Sequence, residues 1–265
     1  AKLRPYGCAV YHCSDNFPAL FSGSFAEKIA ERELNMLSHA DAVITTSPPL
    51  QEKCTAHSPR AVLIRHGVDE SFFYENSAHE CPADLAEVPH PRAVYVGSID
   101  FLLDYDLVDE CVRNCPQVNF VFIGQTDERS KNAFATICKR PNVVHLGRKP
   151  WQELPKYLHH SDLALIPWRK DDFIMSGCPL KLVEYLASGL PVVSTPVSLE
   201  QSQRGAVDIV NSNGEFCLAV QAIANLPLSP ARRCEIRDLV TNWGWDAKAE
   251  EYSSVFENAL KCSRN

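Results

Sequence analysis

The stretch that decides the fold is Cys178-Pro179-Leu180-Lys181-Leu182-Val183-Glu184-Tyr185-Leu186-Ala187-Ser188-Gly189-Leu190-Pro191-Val192-Val193-Ser194-Thr195-Pro196. Pro179 suits the first turn of a helix, where its missing N–H costs nothing. Leu182, Val183, Leu186 and Ala187 then share one helical face, with Lys181 and Glu184 at its rim. Gly189 is placed to end the helix, and Pro191 to Ser194 reads as a short buried strand. The helix starts from a loop, Ile174 to Cys178, that contains Ser176 and Gly177. Its free N–H groups make an anion site, and Lys181 adds a full positive charge one turn in. The same pattern also fits an ordinary helix packed on a sheet, with Lys181 and Glu184 merely solvated.

Working outward, the flanking sequence alternates strands with helices. Upstream come strands over 93–99, 119–124, 143–147 and 163–167, with helical segments over 107–113, 128–139 and 151–160 between them. Downstream, a short strand over 205–210 precedes helical segments over 215–225 and 229–240, and an amphipathic helix over 247–261 follows Asn242-Trp243-Gly244-Trp245-Asp246. Strands separated by helices at this spacing imply α/β architecture with a doubly wound, mostly parallel sheet. Val96-Gly97-Ser98 is then the turn of the first βα unit, and Gly97 lets backbone approach a ligand closely.

The focal stretch resembles the nucleotide-sugar site of GT-B glycosyltransferases of the group 1 type, which carry a Pro-Leu-Lys-x-x-Glu-Tyr-x-Ala-x-Gly-x-Pro-Val-Val run after a loop. The resemblance implies that the helix N-terminus at Leu180 and Lys181 hold the donor pyrophosphate and that Glu184 holds the ribose hydroxyls. Many retaining members carry a second glutamate eight residues earlier, where this chain has Ser176, so the stereochemical class stays open. The resemblance also implies donor contact at Gly97 and Ser98, and nucleobase contact after Gly147, which makes Arg148 a candidate. Arg169 and Lys170 follow a strand, where a phosphate or acidic sugar could be met or where the charges are simply solvated.

In the first part of the chain, residues 7–13 read as a strand broken by Ser14-Asp15-Asn16. Asp15 either caps the next segment or sits at a strand's C-terminal edge, where open α/β sheets place their chemistry. The Tyr-x-x-Ser-Asp-x-Phe pattern resembles a segment of the bacterial glucuronosyltransferase that builds xanthan, and this likeness makes Asp15 the candidate general base. Residues 24–39 read as a helix with Ser24 as cap and Glu27 completing a capping box, followed by a strand over 41–47, a helix opened by Pro48 and Pro49, and a strand over 61–69. The polar, proline-bearing segment 75–92 reads as a linker.

Composition narrows the field further. Of the 265 residues, 45% are hydrophobic, enough for a core, and no segment has the apolar length to cross a bilayer. No signal-peptide core follows the basic start at Lys2 and Arg4. A formal net charge of −7 argues against nucleic acid as the main partner. The eleven cysteines form no Cys-x-x-C and are scattered in odd number, which reads as reduced thiols in a cytoplasmic protein and as no metal site.

The expected organisation is a partial N-terminal Rossmann-like domain (1–75), a linker (76–92), a C-terminal nucleotide-sugar-binding domain (93–241) and a helix crossing back (242–265). The resemblance covers only the back part of a GT-B enzyme, so the front part is expected to be missing. The implied activity is metal-independent transfer of a hexosyl or glucuronosyl group from a nucleotide-diphosphate sugar, with a UDP-sugar as co-substrate and no other cofactor. The acceptor is expected to be a glycan or lipid-linked, with peripheral contact at the inner face of the membrane as an option. The alternatives are a donor-binding fragment without turnover and a nucleotide-sugar epimerase of the same fold.

Overall fold

The structure is a computed structural model that describes residues 7–75, 80–199 and 201–263. In chain order its elements are β1 (Val10–Cys13), α1 (Gly23–His39), β2 (Ala42–Thr45), α2 (Pro48–Thr55), β3 (Ala61–Leu63), α3 (Glu70–Glu75), α4 (Ala83–Ala86), β4 (Arg92–Val96) and α5 (Tyr105–Asn114). There follow β5 (Asn119–Ile123), α6 (Lys131–Ile137), β6 (Val143–His145), α7 (Leu154–His159), β7 (Leu163–Ile166), α8 (Asp172–Ser176), α9 (Leu180–Ala187) and β8 (Val192–Ser194). The last are β9 (Val207–Ile209), α10 (Asn213–Ala224), α11 (Pro230–Asp238) and α12 (Trp245–Ser263).

The chain divides into two compact units. One comprises Ala1–Gly67, Asp171–Pro179 and Asn242–Asn265; the other comprises Val68–Lys170 and Leu180–Thr241. This division departs from the expected boundaries at 75 and 92. The supposed linker is folded where it is described: Leu85 of α4 is fully buried, and the Arg92 guanidinium donates to the Ala86, Val88 and His160 carbonyls. Proline and polar residues there mark tight turns rather than slack chain, and residues 76–79 lie outside the described residues.

In the first unit, three parallel strands lie in the order β1-β2-β3, with Val10 opposite Ala42 and Val43 opposite Ala61. Cys13, Leu37, Val43, Leu50 and Cys54 form a small core between this sheet, α1 and α2. On the same sheet, Ala42 and Ile44 pack with Val255 and Ala259 of α12. Ser47 caps α2 by accepting the Leu50 N–H at 3.3 Å. Two local readings are corrected. The cap of α1 is Ser22, whose extended backbone suits an N-cap, and Ser24 already lies inside the helix without a capping box. The strand read over 61–69 stops at Leu63, because its partner β2 ends at Thr45.

The second unit holds a six-stranded, wholly parallel sheet in the order β6-β5-β4-β7-β8-β9. Alternate residues Ala93, Tyr95, Phe120, Phe122, Leu163, Leu165 and Val193 form one core with Leu107, Val108, Phe134, Phe216 and Val220 from α5, α6 and α10. Their neighbours Val94, Val121, Ile123, Ala164, Ile166 and Val192 are also buried, and α9 packs against β8 with α3 and α11 beside it. A parallel sheet covered on both faces reads as runs of apolar residues, and this one does. The first strand of the unit, β4, lies beside β7, while β5 and β6 extend the sheet the other way. The loops after β4 and β7 therefore part at a topological switch point, where such sheets open a crevice at the carboxyl ends of their strands.

The focal helix α9 ends as its sequence implies. Gly189 has φ +73°, its N–H donates to the Leu186 carbonyl and the Leu190 N–H reaches the Tyr185 carbonyl, a Schellman closure. The segment before it differs from the reading. Asp171 accepts the Ile174 N–H at 3.0 Å and winds residues 172–176 into α8, so Ser176 ends a helix instead of lying in an open loop.

Asn142 shows how a single polar side chain fixes the second unit. Its buried amide nitrogen donates to the Val112, Cys115 and Val118 carbonyls at 3.1, 3.3 and 3.1 Å, tying the end of α5 to the start of β6. Asn142→Leu should lower the unfolding free energy by about 1–3 kcal/mol, because carbonyls turned away from water lose their donor. A shift of the urea midpoint at unchanged slope would register it; no shift would mean that water reaches these carbonyls.

Candidate functional site

The site in the second unit is built where the loops after β4 and β7 meet the first turn of α9. Tyr95 and Tyr185 are both buried. The Tyr185 hydroxyl accepts the Val96 N–H at 2.8 Å, which bolts α9 to the end of β4. The Tyr95 hydroxyl donates to the Ser98 carbonyl at 2.8 Å and accepts from Lys181 Nζ at 2.9 Å. Lys181, the Tyr95 phenol and the loop backbone thus form a short relay of hydrogen bonds.

Lys181 Nζ lies 4.0 Å from the centre of the Tyr95 ring and 4.8 Å from that of Trp168. Gly97 forms the third wall, at φ +135°, and a Cβ placed there would stand 2.6 Å from Nζ. A side chain at this position would both strain the backbone and expel the ammonium. Among the described residues no carboxylate forms an ion pair with Lys181. Burial pushes its pKa down to about 7, against the opposing pull of Asp100 and Glu184. A desolvated cation faced by ring quadrupoles and a phenol, at the start of a helix whose first N–H groups lack intrahelical partners, is arranged to receive an anion.

Glu184 lies one turn further along α9. Burial raises its pKa, opposed by the Trp151 indole, which donates to it at 3.4 Å, and by Lys181. Trp151 in turn stacks on Phe72, with ring centres 4.0 Å apart and planes within 6°. Ser98 and Arg148 are exposed, and Leu180 is 44% exposed at the helix start. Leu180, Lys181 and Glu184 thus lie on α9, Gly97 and Ser98 in the loop after β4, and Arg148 on the loop after β6.

Asp15 and Ser176 belong to the first unit. Asp15 follows β1, and its Oδ2 accepts the Ser14 hydroxyl at 3.1 Å. Its carboxylate is the nearest opposing influence on His12 and His66, both held below the usual histidine range by burial. His12 also meets the Tyr252 hydroxyl of α12 at 3.2 Å. Ser176 is turned into its own unit: its hydroxyl donates to the Asp172 carbonyl and its carbonyl accepts from Ser47. Among the described residues no three His, Cys, Asp or Glu side chains converge in a way that could hold a metal ion, and no helix is long and apolar enough to cross a membrane.

Sequence reasoning missed Tyr95 and Trp151, and it placed Trp168 at a strand end without giving the ring a role. Tyr95 reads as one more apolar strand residue, and only its place one residue before Val96-Gly97 hints that its hydroxyl reaches the strand end. Trp168 is overshadowed by the charges of Arg169 and Lys170 beside it.

The geometry of Lys181 fixes a pH dependence for anion binding. Below pH 7 the ammonium is already charged, and affinity from this source is at its plateau. Above pH 7 an anion must draw in a proton, so affinity should fall by up to about tenfold per pH unit until the bound-state pKa is reached. Calorimetry of UDP at pH 8.5 in buffers of different ionisation enthalpy should show uptake approaching one proton, absent in Lys181→Met. Equal uptake in the variant would assign the proton to another group.

Comparison with known proteins places this arrangement. Residues 91–226 match the family described as Glycosyl transferases group 1. TuaH of Bacillus subtilis (strain 168), named for teichuronic acid biosynthesis, is 27% identical over 209 residues, which cover 74% of this chain and 52% of that protein. The amylovoran biosynthesis glycosyltransferase AmsK of Erwinia amylovora is 34% identical over 82 residues, 31% of this chain and 20% of that one. The chain thus spans about half the length of TuaH. Anabaena HepE, solved in complex with UDP-glucose, superposes with a TM-score of 0.74 at 15% identity over 94% of this chain and 71% of its own. Sucrose-phosphate synthase from Thermosynechococcus elongatus gives 0.72 at 19% identity, covering 96% and 67%. These neighbours share the parallel α/β architecture of the GT-B fold. Because the family match extends over just over half of the residues and contains the whole β4–α9 site, the chain belongs to the group 1 glycosyltransferases.

Proposed function

We propose that the chain transfers a sugar from a nucleotide-diphosphate sugar, with a UDP-sugar as the favoured donor, to a glycan or lipid-linked acceptor in polysaccharide synthesis. The observation that carries this reading is the desolvated Lys181 at the switch point of the sheet, without an ion-pair partner among the described residues and enclosed by Tyr95, Trp168 and Gly97. The UDP and UDP-glucose complexes of HepE support the choice of nucleotide. The names of TuaH and AmsK support the polymer context.

In this reading Lys181 and the α9 N-terminus accept the departing diphosphate, and their charge substitutes for a divalent cation. Glu184 receives the ribose hydroxyls, Gly97 and Ser98 lie along the donor, and Arg148 meets the nucleobase. Asp15 removes the proton from the acceptor hydroxyl as the glycosidic bond to the diphosphate breaks, and direct displacement then inverts the anomeric centre. Among the described residues no disulfide joins any of the eleven cysteines, which fits a reducing compartment, and the reaction is assigned to the cytoplasmic face of the membrane. The likeness of the Asp15 segment to the xanthan enzyme makes glucuronosyl transfer the first donor chemistry to try alongside glucosyl transfer.

Calorimetry with UDP, GDP, UDP-glucose and UDP-glucuronate tests the donor. One uridine ligand should bind saturably, and Lys181→Ala should weaken it by about tenfold or more through the lost charge-assisted contact. Asp15→Asn should leave that affinity within about twofold while abolishing incorporation of labelled sugar into lipid and polymer fractions, with parent incorporation unaffected by EDTA. Full binding with no incorporation by the parent would favour a donor-binding role without turnover. No nucleotide binding at all would sink the assignment.

A further inference from the structure

The first unit contains a buried charge that the proposed reaction does not use. Glu33, on α1, is 5% exposed. Its Oε2 accepts from Lys53 Nζ of α2 at 2.6 Å, while Oε1 faces the Tyr11 hydroxyl at 3.1 Å and the Cys13 thiol at 3.6 Å, both on β1. Three elements therefore converge on one carboxylate. Such a pair is a poor device for stability alone, since desolvation of both ions offsets most of their attraction and apolar replacements of similar volume are often as stable. Burial and the Glu33 charge also push the Tyr11 phenol well above its ordinary range, so this donor stays protonated.

The outer end of the network shows what it holds. Lys53 Nζ donates a second hydrogen bond, at 2.8 Å, to Asn16 Oδ1, the side chain immediately after Asp15. The Cys13 thiol also approaches the Asp15 carbonyl at 3.7 Å, and Thr46 Oγ1 donates to the Ser14 carbonyl at 3.0 Å. The Asn16 carbonyl accepts the Ala19 N–H at 2.9 Å. Each residue of Ser14-Asp15-Asn16 is thus tied through its backbone or its neighbour's amide, while the Asp15 carboxylate itself meets only the adjacent Ser14 hydroxyl among the described residues. Lys53 is the one charged member that spans from the buried carboxylate to this loop.

We propose that the Glu33–Lys53 pair is a positioning device that fixes the Ser14–Asn16 loop and thereby aims Asp15 at the acceptor hydroxyl. The inference rests on Asp15 acting as the base. Glu33 supplies the fixed acceptor that holds Lys53 in one rotamer, and Lys53 transmits that fixity through Asn16. Positioning at this level acts on turnover rather than on donor affinity, because a misdirected base still allows the nucleotide to bind.

The test uses Lys53→Met, the charge-neutral double variant Glu33→Gln/Lys53→Met and the rescue variant Lys53→Arg. The double variant retains an acceptor for Tyr11 and leaves no buried charge unpaired. Hydrogen exchange at the Ala19 amide, which donates to the Asn16 carbonyl, should quicken by about tenfold in the first two proteins, with α1 and β2 amides unchanged, and return toward the parent in Lys53→Arg. Release of UDP from UDP-glucose with water as acceptor should show kcat lowered by about tenfold and KM unchanged. Adding Asp15→Asn to the double variant should lower kcat no further than Asp15→Asn alone. Unchanged loop exchange, or a loss that persists in full in the Asp15→Asn background, overturns the proposal. Parent-level UDP release by Asp15→Asn itself is a separate outcome: it removes Asp15 as the base, while the exchange rates still decide whether the pair holds the loop.

Discussion

The site in the second unit depends on holding an ammonium group out of water with no carboxylate among the described residues in ion-pair contact with it. Stripping solvent from such an ion costs several kcal/mol even after local relaxation. Lys181 offsets part of that through the Tyr95 hydroxyl and two aromatic faces, and the rest remains as a lowered proton affinity. A salt bridge would have neutralised the charge more simply, but it would have filled the position an anion needs. The sheet keeps the arrangement in place. With both faces of β4 buried and Tyr185 anchoring α9 to the Val96 N–H, neither wall of the site can relax toward the cation.

The first unit solves the opposite problem. There the charges are matched internally, Glu33 against Lys53, and the functional candidate Asp15 is left outside the match. One unit keeps a bare charge at its site and surrounds it with neutral groups. The other keeps its site residue nearly bare and surrounds the neighbouring backbone with bonds. In both, among the described residues, the polar group has no partner of opposite charge in salt-bridge contact.

The sheet of the second unit was legible in the sequence because parallel strands buried on both faces leave continuous apolar runs between glycine and proline punctuation. The run Ala93-Val94-Tyr95-Val96, set between Pro91 and Gly97, is such a case, and the Lys181–Glu184 spacing set both side chains at the rim of α9. What stayed hidden depends on tertiary neighbours. The segment 80–92 looks polar, yet Leu85 and the Arg92 guanidinium are buried because the Ala86, Val88 and His160 carbonyls converge on that arginine. The helix at 172–176 is a single capped turn, too short to show a period. Glu33 looks like a surface residue of an amphipathic helix, since nothing local announces that Lys53, twenty residues on, will meet it. Tyr95 carries the same lesson, its role lying in the last atom of a side chain whose other atoms are ordinary core.

The two units are interleaved along the chain, with the backbone passing from one to the other after residues 67, 170, 179 and 241. Inheritance therefore acts on them unevenly. A gene fusion or truncation at any single joint cannot deliver the first unit whole, because α8 and α12 belong with strands encoded near the start of this sequence. Exchanging the second unit between relatives by recombination would need segments 68–170 and 180–241 to travel together while the nine residues between them stay behind. Point substitution around the β4–α9 crevice, by contrast, alters the second unit without disturbing the interleaving.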